Sequence, residues 1–100
     1  MKRGDILEKN EFLSGLEELF KKYGITEAYN RASSFNGTLT PGFCLLVYSQ
    51  PAEKDKNVIR DYVRGSYDVE DDYCPLILFS NGVPMDGDEP VYSEGNFYAY

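Results

Sequence analysis

The side chains best suited to chemistry are carboxylates, and they are concentrated in the last third of the chain. From Gly65 to Tyr100 there is no lysine or arginine. The acids of this segment are Asp68, Glu70, Asp71, Asp72, Asp86, Asp88, Glu89 and Glu94. Two carboxylates held roughly 5–9.5 Å apart across a cleft can hydrolyse glycosidic bonds. So many acids in a short segment produce such pairs by chance, so their spacing does not specify an enzyme.

Histidine is absent from the sequence, which removes the commonest general base, metal ligand and partner of a nucleophilic serine or cysteine. Cys44 and Cys74 lie 30 residues apart, each at the edge of an apolar run. Neither has the CxxC spacing or the neighbouring cation that activates a thiol. We interpret both as small buried hydrophobic residues, and a disulfide between them would require their strands to be adjacent. No catalytic residues are therefore predicted.

The sequence Asp-Gly-Asp-Glu at residues 86–89 resembles the beginning of a calcium-binding loop. A helix–loop–helix calcium site needs an oxygen ligand at the fifth position and glycine at the sixth. Pro90 and Val91 occupy those positions, so the motif fails. We therefore expect no metal and no cofactor, and we interpret residues 86–89 as an acidic turn.

A basic stripe is the one feature that could bind phosphate. Lys56, Arg60 and Arg64 recur every four residues and would share one face of a helix. Nucleic-acid binding needs a net cationic footprint, whereas this chain has a net charge of −7. We expect no direct contact with nucleic acid. The stripe is better interpreted as a solvated face that pairs with the acids of residues 68–72.

Apolar spacing and turn dipeptides predict two helices and four strands in the order αββαββ. The helices are expected at residues 6–23 and 53–64, and the strands at residues 25–35, 43–49, 76–80 and 91–100. Asn36-Gly37 and Asn81-Gly82 are expected to be hairpin turns. This pattern predicts one α+β domain over residues 1–100, with two helices packed on one face of a mainly antiparallel sheet of three or four strands.

Eight apolar side chains are expected to form one buried cluster between the helices and the sheet. They are Leu13, Leu16, Phe20, Leu45, Val47, Ile59, Leu76 and Leu78. No apolar run approaches the roughly 20 residues of a membrane span, and the first residues lack the apolar stretch of a secretory signal. The expected location is therefore the cytoplasm of a bacterial cell or an infected host.

The charge distribution favours a binding function over catalysis. Residues 1–50 carry six basic and six acidic side chains, so the whole net charge of −7 comes from residues 51–100. Tyrosines among the acids suit protein recognition, because each contributes apolar area and a hydroxyl. The predicted partner-binding residues are the acids Asp68, Glu70, Asp71, Asp72, Asp86, Asp88 and Glu89 with the tyrosines Tyr67, Tyr73 and Tyr92.

These features predict a non-enzymatic inhibitor or decoy that binds a basic, nucleic-acid-handling protein, with carboxylates in the places of phosphates. Anti-CRISPR and anti-restriction proteins of phages are favoured within this class over immunity proteins against nuclease toxins. One alternative is a small adaptor domain that oligomerises, for example as a homodimer, through a sheet edge or the first helix. A carboxylate-based enzyme is the least favoured alternative.

Overall fold

The computed structural model describes residues 5–30, 35–37, 43–65 and 76–99. It confirms an α+β fold in which the helices α1 and α2 pack on a mostly antiparallel sheet of five strands. The elements are α1 (Glu11–Lys22), β1 (Glu27–Asn30), β2 (Cys44–Val47), α2 (Glu53–Gly65), β3 (Leu76–Phe79), β4 (Glu89–Ser93) and β5 (Asn96–Phe97). The strand order across the sheet is β3-β2-β1-β4-β5. Within these ranges, no helix is long and apolar enough to cross a membrane.

The first helix begins five residues later than the sequence predicts. The side chain of Asn10 accepts a hydrogen bond of 2.8 Å from the backbone N–H of Leu13, so Asn10 is the N-cap. The preceding residues are extended and lie against the last strands: Leu7 donates its N–H to the carbonyl of Phe97 at 2.8 Å. Asp5 followed by Glu8 resembles a capping signal and predicts the start at residue 6, but that start was wrong because Asn10 makes the capping bond.

Three of the four pairings in the sheet are antiparallel. β1 pairs with β2 on one side and with β4 on the other, and β4 forms a hairpin with β5. Glu94 and Gly95 form the turn of this hairpin, with φ values of 54° and 78°. Positive φ at both central residues is the geometry of a type I′ turn, which matches the twist of the paired strands. The sequence offers Gly95 as a break in the strand predicted at residues 91–100, and the chain forms two strands that meet at this turn.

The remaining pairing corrects the prediction for β3, which runs parallel to β2. Asn81-Gly82 therefore does not join a hairpin, and the chain between β2 and β3 passes through α2 as a crossover. β3 lies at the edge of the sheet. Leu76 and Leu78 are 58% and 46% exposed, so their prediction as core residues was wrong. The other six predicted core residues are buried.

The two helices approach each other closely at Gly15. The ring of Tyr62 on α2 stacks on Phe12 with centroids 5.5 Å apart, and its hydroxyl donates to the carbonyl of Phe12 at 2.8 Å. A Cβ atom at Gly15 would lie 2.3 Å from this hydroxyl oxygen and 2.8 Å from Cζ of the ring. Glycine is therefore required by the helix contact, although it lowers the helical propensity of α1.

This contact predicts that Gly15→Ala destabilises the protein by about 1–3 kcal/mol, the usual cost of overpacking. In an exposed helix the same change would stabilise by about 1 kcal/mol. In a Tyr62→Ala background the obstructing ring is absent, so Gly15→Ala should become stabilising. Urea unfolding of the four variants measures both effects. The same sign in both backgrounds would contradict the assigned helix contact.

Candidate protein-binding surface

Four of the ten predicted partner-binding residues lie in the described part of the chain, namely Asp86, Asp88, Glu89 and Tyr92. The other six lie outside the described residues, and they are Tyr67, Asp68, Glu70, Asp71, Asp72 and Tyr73. The four described residues divide into two groups. Asp86 and Glu89 are exposed, whereas Asp88 and Tyr92 are buried.

Asp88 has a structural position in the loop between β3 and β4. Its carboxylate accepts hydrogen bonds from the hydroxyl of Tyr48, which follows β2, and from the backbone N–H of Met85 at 3.0 Å. The N–H of Asp88 donates a hydrogen bond to the carbonyl of Met85 at 2.9 Å. Asp88 therefore closes the turn and ties the loop to the sheet. Because it is fully buried, its predicted role as a surface contact is corrected.

Tyr92 belongs to the core. Its ring packs against Phe20 and Phe97, with centroid distances of 5.1 and 4.7 Å. Burial, together with the nearby negative charge of Glu17, raises the pKa of the Tyr92 hydroxyl. A buried side chain cannot be the exposed anchor that the sequence predicted, so Tyr92 is removed from the binding surface.

Glu17 is held by two lysines on the outside of this core. Its carboxylate lies 2.7 Å from Lys9 Nζ and 3.6 Å from Lys21 Nζ. The hydrogen bond from Lys9 is the main cause that lowers the pKa of Glu17. Because its pKa is lowered in the folded state, the ionised Glu17 stabilises the fold at neutral pH, and this contribution is lost as pH falls through the folded pKa.

The two exposed acids follow closely in sequence on two exposed apolar side chains that were not among the predicted partner-binding residues. Val83 is 76% exposed and Met85 is 62% exposed. We call Val83, Met85, Asp86 and Glu89 the loop patch. A signal was available in the sequence, since a valine and a methionine occur in a loop next to clustered acids. Contiguous exposed apolar patches that are rimmed by polar residues often mark sites that bind other proteins.

Two open clefts flank Val83, so the surface around the loop patch is not flat. One, of about 610 Å³, lies between the loop and the sheet and is lined by Leu46, Leu78 and Met85. The other, of about 300 Å³, is lined by Glu27, Tyr29 and Tyr48. Side chains of a partner could enter both clefts. All charged residues in the segment 76–99 are acidic, so this part of the surface is anionic.

The basic stripe on α2 covers an aromatic ring. Lys56 Nζ and Arg60 Cζ lie 5.6 and 5.3 Å from the ring centroid of Phe79. Both cations are also 3.6 Å from the carboxylate of Glu53. Their contacts within the protein therefore favour a structural role over phosphate binding. The predicted pairing of the stripe with the acids of residues 68–72 lies outside the described residues.

No group of three or more cysteines and acids in the described ranges is arranged to hold a metal ion. Cys44 is half-buried at the start of β2, and Cys74 lies outside the described residues. Cys44 is therefore less buried than the sequence predicts, and for Cys74 the prediction stays open.

Comparison of the chain with protein-family models, curated protein sequences and solved structures finds no match. Function must therefore be inferred from the residues and surfaces of the chain itself.

Proposed function

We propose that the protein is a non-enzymatic inhibitor or decoy that binds a basic, nucleic-acid-handling protein through its acidic surface. The observation that carries this proposal is the loop patch, in which exposed Val83 and Met85 share a stretch of seven residues with the exposed acids Asp86 and Glu89. Protein interfaces combine an apolar centre, which supplies most of the binding energy, with a polar rim. The loop patch has both parts.

The charge supports a basic partner. The chain carries a net charge of −7, and all four charged residues of the segment 76–99 are acids. Such a surface repels nucleic acid and attracts the cationic grooves of proteins that bind nucleic acid. Carboxylates in such a groove would occupy the places of phosphates. Small size and acidity favour a phage anti-CRISPR or anti-restriction protein, acting in a bacterial cytoplasm, over a nuclease-toxin immunity protein.

The apolar residues and the acids have different parts in this binding. Val83 and Met85 are the proposed anchors, because buried apolar contacts mainly determine how slowly a complex dissociates. Methionine is flexible and polarisable, so Met85 can adapt to an irregular surface. Asp86 and Glu89 are the proposed steering charges, because charges at the rim mainly determine the association rate and its dependence on salt.

The test begins with the identification of a partner. The tagged protein retains proteins from a bacterial lysate, mass spectrometry identifies them, and binding to each purified candidate is measured by surface plasmon resonance. A decoy must also compete with nucleic acid, so it should displace a fluorescently labelled DNA duplex from the partner. A partner that binds this protein and the duplex at the same time would contradict the decoy mechanism.

Reversing both exposed acids of the loop patch, in Asp86→Lys with Glu89→Lys, should slow association about tenfold at low salt and flatten its salt dependence. The matched control is Glu8→Lys with Glu18→Lys, which changes the net charge equally at two exposed acids elsewhere. The control should have a much smaller effect. Equal effects from the two pairs would show that only the total charge matters, and would contradict the assignment of the loop patch.

A further inference from the structure

The outer edge of β3 carries backbone groups that point away from the sheet. Leu76 and Ser80 donate their N–H groups to the carbonyls of Phe43 and Val47, both at 2.9 Å. In a parallel pair, alternate residues of a strand direct both backbone groups to the same neighbour. The N–H and C=O groups of Ile77 and Phe79 therefore point away from β2. The described residues place no strand on that side.

The side chains of β3 favour contact between this edge and another chain. Leu45 and Val47 of β2 and Ile77 of β3 belong to the core beneath the helices, so alternation directs Leu76 and Leu78 to the opposite face. Both leucines are substantially exposed. Natural edge strands are usually protected from other chains by lysine, proline or a bulge. β3 has the sequence Leu-Ile-Leu-Phe and none of these protections.

We infer that β3 is the contact strand of a homodimer, in which the two copies pair β3 antiparallel about a two-fold axis. The charge pattern favours a second copy as the occupant. No charged residue occurs from Tyr73 to Met85, so β3 offers a basic strand no carboxylate to pair with, and the cations Lys56 and Arg60, which α2 places over Phe79, would repel such a strand. Because this segment has no acidic residue, two chains of net charge −7 can meet there without placing carboxylates face to face. This inference is independent of the proposed basic partner.

The backbone groups of Ile77 and Phe79 that point away from β2 define the register in which the two β3 strands pair. Ile77 lies opposite Phe79 of the second copy, and each of the two such pairs exchanges both of its backbone hydrogen bonds. Leu78 then faces Leu78 of the second copy, and Leu76 faces its Ser80. A shift of two residues in either direction would pair β3 with a residue outside it, Pro75 opposite Phe79 or Asn81 opposite Ile77. Only the first register keeps both bonded pairs within β3.

The oligomeric state in solution tests the inference directly. Sedimentation equilibrium should give a mass near twice the chain mass of 11.4 kDa for the unmodified protein. Leu78→Lys places two like charges face to face at the two-fold axis and should reduce the mass to that of one chain. Val58→Lys on α2 is the matched control, since Val58 is 43% exposed, and it should stay dimeric. An unmodified chain that is monomeric at its highest soluble concentration would overturn the inference.

Salt distinguishes this contact from the proposed function. Screening reduces the repulsion between two chains of like charge, so the dimer should become tighter as salt is raised. Binding of a basic partner should weaken under the same change. Self-association that weakens with salt would contradict an uncharged β3 contact. Because Leu78 also lines the cleft beside the loop patch, the opposite response to salt, and not Leu78→Lys, separates the two contacts.

Disulfide cross-linking tests the register. In a chain with Cys44→Ser and Cys74→Ser, the change Leu78→Cys should give a cross-linked dimer under mild oxidation. Facing residues of a non-hydrogen-bonded pair have Cα atoms about 4.5 Å apart, which a disulfide can span. Leu76→Cys should cross-link poorly, because its copies would lie about 14 Å apart along the strands. Equal cross-linking at both positions would contradict the register.

Discussion

Replacing Phe20 with alanine should lower the free energy of unfolding by about 3–5 kcal/mol, the usual cost of removing a buried phenylalanine side chain. Phe20 is fully buried near the end of α1 and packs against the ring of Tyr92 on β4. Its carbonyl accepts the N–H of Ile25 at 2.8 Å, which fixes the chain between α1 and β1. The side chain therefore joins the helix layer to the sheet where the chain passes between them.

Urea unfolding followed by circular dichroism measures this loss. The matched control is Leu19→Ala, because Leu19 precedes Phe20 on the same helix and is only half-buried. We expect the control to cost less than half as much, since the stabilisation lost scales with the apolar area removed from water. Comparable costs for both variants would contradict the orientation of α1 on the sheet.

The helices could be predicted from the sequence because their signals are local. Val58, Ile59, Tyr62 and Val63 recur at helical spacing, and α2 extends over Glu53–Gly65, close to the predicted residues 53–64. The sequence misplaced the start of α1 because two residues, Asp5 and Asn10, both resemble caps. Only the folded chain shows which of them accepts the capping bond.

The position of β3 could not be predicted because it depends on a distant strand. An uninterrupted run of Leu-Ile-Leu-Phe is typical of a strand that is buried on both faces. Asn81-Gly82 then suggested a hairpin with the strand that follows. In the structure β3 instead pairs with β2 after the crossover through α2, and it lies at the edge. Leu76 and Leu78, which the sequence predicts in the core, therefore lie at the surface.

The candidate site shows the same limit. Asp86 and Asp88 are two residues apart and identical in type, yet one is exposed and the other is fully buried. The difference comes from Tyr48, which precedes Asp88 by 40 residues and donates its hydroxyl to that carboxylate. Local sequence cannot reveal this contact, so the clustering of charge alone predicts both acids at the surface.

The proposed dimer and the proposed function are compatible in geometry. Antiparallel pairing of two β3 strands about an axis perpendicular to the sheet keeps the same face of both copies on one side. The two loop patches would then face the same direction. A partner with two equivalent basic sites could bind both patches at once and gain affinity by raising the effective concentration of the second site.

Removing the carboxylate of Asp88 should release the loop that carries the loop patch. In Asp88→Ala, the hydroxyl of Tyr48 and the N–H of Met85 lose a common acceptor. Bonds to a charged group contribute about 1.5–3 kcal/mol each, so the loss of both should cost about 3–6 kcal/mol. Asp88→Asn keeps an acceptor oxygen and should cost roughly half as much, since charge-assisted bonds are about twice as strong as neutral ones.

Two measurements separate loosening of the loop from general destabilisation. Urea unfolding gives the global loss, and amide hydrogen exchange at Met85 reports the local bond. In Asp88→Ala the Met85 amide should exchange faster than amides of α1 and β2, because a loop opens without unfolding of the core.

Asp86→Ala removes an equal charge from an exposed neighbour and should change stability by less than about 0.5 kcal/mol. If Asp88→Ala behaves like Asp86→Ala, or if Met85 exchanges no faster than the core, Asp88 does not hold the loop. Contacts other than those of Asp88 would then have to hold the loop patch in place.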